Sequence, residues 1–196
     1  NTFDWSLKHH IKGEYINATI AVSPDDRHLV VGDSSGQIDV WDYVLGKRVH
    51  KFKAHTGPVN SMSYSKDGEM LAVGAITPRK GKVPTRKIDI DAVTKEGLVS
   101  VWSTSSWQRE IAVSEDFFRI TFVYAVEINP DNTIVLNGSE RGFLQVNNLK
   151  NGQLIQRLPV DSVVQSMKFS PDGQYLAAVT FESVFLWKVD NGVIGK

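Results

Sequence analysis

The chain has 196 residues, 22 Lys and Arg against 22 Asp and Glu, and no Cys. Zero net charge removes bulk attraction to nucleic acid or an anionic membrane, and no apolar run approaches the ~18 residues of a membrane-spanning helix. Without Cys there are no disulfides and no Cys-based zinc or redox sites; with no secretory signal visible, a cytoplasmic location is the expectation.

The elements repeat along the chain. Residues 1–15 hold Phe3 and Trp5 and read as the end of a preceding unit, with a closing strand expected at His9–Glu14. The first full unit, 16–53, pairs Ile16–Val22 with an apolar run ending at Gly32 through the turn Ser23-Pro24-Asp25-Asp26. A third strand follows, Gly36–Asp42 with Trp41, and then a fourth, Arg48–Lys53. The second unit, 54–114, turns at Ser65-Lys66-Asp67-Gly68, carries Trp102 in its third strand and ends in Arg109–Val113. The third, 115–158, turns at Asn129-Pro130-Asp131-Asn132, has Asn147 at the Trp position and closes with Leu154–Leu158. The fourth, 159–196, turns at Ser170-Pro171-Asp172-Gly173, carries Trp187, and reaches the end of the sequence as its last strand begins.

The register is tight. One residue before each turn stands Val22, Tyr64, Ile128 or Phe169; three before stands Ile20, Met62, Val126 or Met167. Apolar residues two apart mark one face of a strand. Four before is always small, Thr19, Ser61, Ala125 and Ser166, which predicts close approach of another backbone layer. Nine after is Gly32, Gly74 and Gly138, with Val179 as the exception. In each turn Pro presets φ, Asp bonds its own turn and Gly accepts positive φ, so each unit opens with a hairpin.

The turns recur at intervals of 42, 64 and 41 residues. The long interval holds an insertion of 19 residues between Gly74 and Gly97. Loops much longer than their neighbours are often functional. Five basic residues, Arg79, Lys80, Lys82, Arg86 and Lys87, fall in the loop at 77–96 and are the candidate partner contact; the alternative is a plain solvated loop. The cluster has no interleaved aromatics, which disfavours nucleic acid.

Four strands per ~40–45 residues is the blade of a β-propeller. The segments Ala54-His55-Thr56-Gly57-Pro58-Val59, Ser65-Lys66-Asp67-Gly68, Leu71-Ala72-Val73-Gly74 and Val40-Trp41-Asp42 resemble the WD-repeat family, across about residues 16–192. The resemblance implies an all-β propeller, structural roles for His55, Trp41, Trp102 and Trp187, and service as a platform for protein complexes. The family's His/Asp/Trp set is incomplete here: the second unit comes nearest, with His55, Glu96 and Trp102. The resemblance also implies rings of about seven blades, so four make an arc with apolar end faces open to self-association. The expectation is a segment of a longer chain; the alternatives are two copies pairing into an eight-bladed ring, or a closed four-bladed ring.

Candidate chemistry is sparse. His9 and His10 are adjacent on an expected strand and point to opposite faces, so the pair does not chelate one ion. Asp89 and Asp91 are too few for a calcium loop. No nucleophile elbow, P-loop or dinucleotide-binding glycine turn is present. No catalytic residue, cofactor or metal is therefore assigned. The expected function is a non-enzymatic scaffold that binds a protein partner or another domain of its own chain. The alternatives are a lactonase-like or quinoprotein-like propeller enzyme or cofactor binder, or a nucleic-acid or translation-associated propeller.

Overall fold

A computed structural model describes residues 7–12, 16–76, 99–113, 122–190 and 193–195. The described residues form sixteen strands and no helix. The first sheet is β1 (Asn17–Val22), β2 (His28–Asp33), β3 (Gln37–Asp42) and β4 (Lys47–Lys53), and the second is β5 (Val59–Tyr64), β6 (Met70–Ala75), β7 (Val99–Ser103) and β8 (Arg109–Val113). The third is β9 (Val123–Ile128), β10 (Ile134–Ser139), β11 (Phe143–Asn148) and β12 (Leu154–Pro159). The fourth is β13 (Val164–Phe169), β14 (Tyr175–Thr180), β15 (Val184–Asp190) and β16 (Val193–Ile194). Each sheet is an antiparallel meander in chain order. Residues 7–12 carry no strand, so the closing strand expected from His9 is not formed over its described part. The edge of β15 is paired by β16.

Three of the four hairpins close by one chemistry, and in the third Asn129 Oδ1 accepts the Thr133 and Ile134 N–H groups instead. Ser65 Oγ donates to Asp67 Oδ1 at 2.6 Å and accepts the Met70 N–H at 2.9 Å; Ser170 repeats this with Asp172 and Tyr175 at 2.6 and 2.9 Å. Ser23 makes the same bonds to Asp25 and His28. The fourth turn residue is left-handed in every copy: Asp26, Gly68, Asn132 and Gly173 have φ of 53, 76, 55 and 72°. Each first strand carries a register shift near its start, and β3, β7 and β11 carry one at the Trp position, which strengthens local twist.

Neighbouring sheets pack through their first strands: β1 on β5, β5 on β9, and β9 on β13. The glycine nine residues after each turn sets the spacing. A Cβ on Gly32, Gly74 or Gly138 would stand 2.7, 2.6 or 2.5 Å from Cγ1 of Val59, Val123 or Val164 in the next sheet. The small residue four before the turn also acts across the junction, since Ser61 Oγ accepts the Val126 N–H at 3.0 Å. Three apolar clusters fill the junctions; the first joins Val30, Ile38 and Val40 to Val59, Met62 and Trp102.

The four sheets make an open arc, not a closed four-bladed ring. In the first three sheets the residues one and three before the Trp position are Val40 and Ile38, Val101 and Val99, Val146 and Leu144, all buried. Their counterparts in the fourth sheet, Leu186 and Val184, are 67% and 76% exposed. At the other end Ile20 and Val22 are 63% and 50% exposed, whereas Met62, Val126 and Met167 in the register of Ile20 are buried. The Gly–Val interlock also lapses at both ends: Val179 replaces the glycine, and Asn17 stands where Val59, Val123 and Val164 stand.

Candidate functional site

The second sheet holds a buried polar relay. Trp102 Nε1 donates to Ser100 Oγ at 2.7 Å, and Ser100 Oγ lies 2.8 Å from His55 Nε2. The same ring nitrogen lies 3.3 Å from the Val73 carbonyl. The relay ties the segment before β5 to β6 and β7. Burial pushes the His55 pKa down to about 4; the Val73 carbonyl opposes this and the Arg109 charge adds to it. A neutral, enclosed imidazole of this kind holds structure.

Among the described residues the other sheets lack the relay. Trp41 Nε1 is buried without a hydrogen-bond partner among the described residues, and Asp39, at the register of Ser100, faces Arg48 at 3.3 Å instead. Asn147 donates to the Gly152 carbonyl at 3.0 Å. Trp187 stacks on Phe185, which occupies the Ser100 register, with centroids 5.4 Å apart. Ser100 is the relay member that the sequence reading missed; its signal was a small hydroxyl two residues before Trp102, on the same strand face. Glu96, the sequence candidate for the acidic member, lies outside the described residues, as do Arg79, Lys80, Lys82, Arg86 and Lys87.

Two surfaces stand out among the described residues. One is the pair of apolar end faces. The other is a crevice of about 300 Å³ between the hairpin turns of the first two sheets, lined by Asp25, His28, Tyr64, Asp67, Thr104 and Trp107 among others. Trp107 has φ of 54°, at a position where Gly46 and Gly152 have 65 and 73°. Left-handed backbone costs a side-chain-bearing residue about 1–2 kcal/mol. The indole is held by stacking on His50 at 5.7 Å and by Phe52 at 5.6 Å. Among the described residues no group of three or more His, Asp or Glu side chains converges to hold a metal ion.

The family model "WD domain, G-beta repeat" matches residues 2–42 and 46–76. Actin-interacting protein 1 of Drosophila melanogaster is 29% identical over 170 residues, which is 84% of this chain and 25% of that protein. Pre-mRNA-processing factor 19 of Oryza sativa is 27% identical over 159 residues, 79% of this chain and 26% of that one. The chain is similar to WD-repeat proteins. Among its relatives THO complex subunit 3 of Arabidopsis thaliana is 22% identical over 208 residues, covering 93% of this chain and 64% of the relative. The chain thus spans about a quarter of the first two relatives and under two thirds of the third. Within this arc only the second blade carries the His–Ser–Trp relay among the described residues, and the exposed faces belong to the first and fourth blades.

Proposed function

We propose that this chain is a non-enzymatic platform that binds a protein partner or another domain of its own chain. The observation that carries the proposal is the pair of open end faces. Val184, Leu186, Ile20 and Val22 follow the register of buried junction residues, yet stand in solvent. An apolar sheet face of this kind is a surface for association. Rigid hairpins held by repeated Ser–Asp clasps present loops with little ordering cost. The names of the relatives point the same way, since one is called a complex subunit and another an actin-interacting protein. The loop at 77–96, with its five basic residues, would add charge steering to such a surface.

The test is photo-cross-linking in cells with p-benzoylphenylalanine at Val184. A discrete protein adduct, or an intramolecular cross-link to another part of a longer chain, is the expected result. Its absence at both Val184 and Ile20 would overturn the platform reading.

A further inference from the structure

The crevice between the first two blades carries a chemistry of its own. Asp25, Asp67, Tyr64, Thr104 and Trp107 line it, and His28 is the only basic side chain among the lining residues. Two carboxylates and two aromatic rings around one small cavity suit a cation.

The next junction shows how such a crevice is filled. There Asn132 Nδ2 donates to Asp67 Oδ2 at 2.6 Å, and Asn132 Oδ1 accepts the Lys66 N–H at 3.1 Å. Asn132 is the fourth residue of its turn. At the first junction that place belongs to Gly68, which has no side chain, and a Cβ added there would meet only Pro24, at 3.5 Å. Asp25 is left without that donor. Its Oδ1 takes the Ser23 hydroxyl and the Arg27 N–H, while among the described residues Oδ2 has only His28 Nδ1 at 4.0 Å.

Two more features set this junction apart. Trp107 stands where the sibling turns have Gly46 and Gly152, despite the left-handed backbone, and so builds an aromatic wall that the other junctions lack. The third junction has Gly173 in place of Gly68, but the sequence puts Gly192 at the Trp107 position. The Tyr64 hydroxyl is fully buried with no hydrogen-bond partner among the described residues, and lies near enough to Asp25 for that charge to add to the upward shift caused by its burial.

We propose that this crevice binds the guanidinium of an arginine presented by a partner protein; this deepens, and rests on, the platform reading. A planar guanidinium supplies the donor that Gly68 withholds from Asp25 and stacks against the indole. Asp67, already bonded on both oxygens, contributes its charge.

The test uses the full chain and the probe Nα-acetyl-L-argininamide, with Nα-acetyl-L-citrullinamide as the uncharged isostere, followed by ¹⁵N NMR. The arginine probe should give saturable shifts at the Trp107 indole and the Gly68 and Thr104 amides, and the citrulline probe should not. Two variants remove the site without disturbing the turns. Trp107→Gly restores the residue of the sibling turns, and Gly68→Asn places the amide that Asn132 supplies next door. Each should weaken probe binding at least tenfold while the thermal transition remains cooperative. Equal shifts with both probes, no saturation, or undiminished binding in both variants overturns the proposal. Equal affinity for Nα-acetyl-L-lysinamide overturns the guanidinium assignment. If the probe fails while the Val184 cross-link persists, the crevice is lost and the platform stands; if the cross-links at Val184 and Ile20 fail while the probe binds, the platform reading is what falls.

Discussion

Lys168 Nζ donates to Glu127 Oε2 at 2.7 Å, and the same oxygen accepts the Ser63 hydroxyl at 3.2 Å. The three residues stand two before their turns, on the first strands of the fourth, third and second blades. One carboxylate thus joins three consecutive blades. The Glu127 side chain is buried while that of Lys168 is largely in solvent, so the pair is screened from one side. A Lys168→Met/Glu127→Gln cycle should give a coupling of only about 0.5–1 kcal/mol in urea unfolding. A coupling above roughly 3 kcal/mol would mean that the charge pair, not the apolar junction, holds the last two blades together.

His55 makes stability depend on pH. Its pKa in the fold lies near 4, below the ordinary value of 6.5, because the buried ring resists protonation. The stability it supports is complete above pH 6.5 and is lost as pH falls from 6.5 towards 4. Below that, His55 adds no further loss. The full change amounts to about 3 kcal/mol. Urea midpoints measured from pH 7 to 4 should fall in the native chain and flatten in His55→Gln. A native profile flat over this range would contradict the buried, neutral ring. Asp25, Asp67 and Asp172 lie below their ordinary range through their Ser–Asp bonds, in Asp67 against the opposing effect of burial, so their contribution is lost only at lower pH.

The Gly–Val interlock gives a paired prediction. Gly74→Ala would press a Cβ against Val123 Cγ1 and Val126 Cγ1, at 2.6 and 2.7 Å, and should cost about 1–3 kcal/mol. Val179→Gly, at the same register in the open fourth blade, should cost about 1 kcal/mol from backbone freedom alone. Thermal unfolding checks both, and equal losses would deny that Gly74 is set by its neighbour.

The loop at 77–96 is tested by replacing residues 77–95 with a short turn like Ser34–Gly36. The strands on either side keep their register, so the thermal transition should be unchanged. Affinity for a cross-linked partner should fall, and the lost part should be the salt-sensitive part. Undiminished affinity would move binding to the end faces and crevice.

Much of the architecture was legible in the sequence because the repeat reports position four times over. Ile20, Met62, Val126 and Met167 share a register, and that register fixed the hairpins and the blade order. The exceptions were legible as exceptions without their cause. Val179 broke the glycine rule, and among the described residues no other blade presses on it. The relay was half legible. His55 and Trp102 stood out, but Ser100 did not, because a lone serine in a strand carries no pattern until folding brings it between two distant partners. The crevice was not legible, since it depends on the empty place at Gly68 and on the backbone angle of Trp107, neither of which periodicity reports.

The central claim is that the four blades form an open arc whose end faces are free to bind. Hydroxyl-radical footprinting of the purified chain at low concentration tests it most directly. Ile20, Val22, Val184 and Leu186 should be oxidised far faster than Val126 and Ile128, which hold the registers of Ile20 and Val22 inside the arc, and than Ile38, Val40, Val99 and Val101, which hold those of Val184 and Leu186. Equal protection of the two sets in a monomer would show that the ends close on each other, and the account would be wrong.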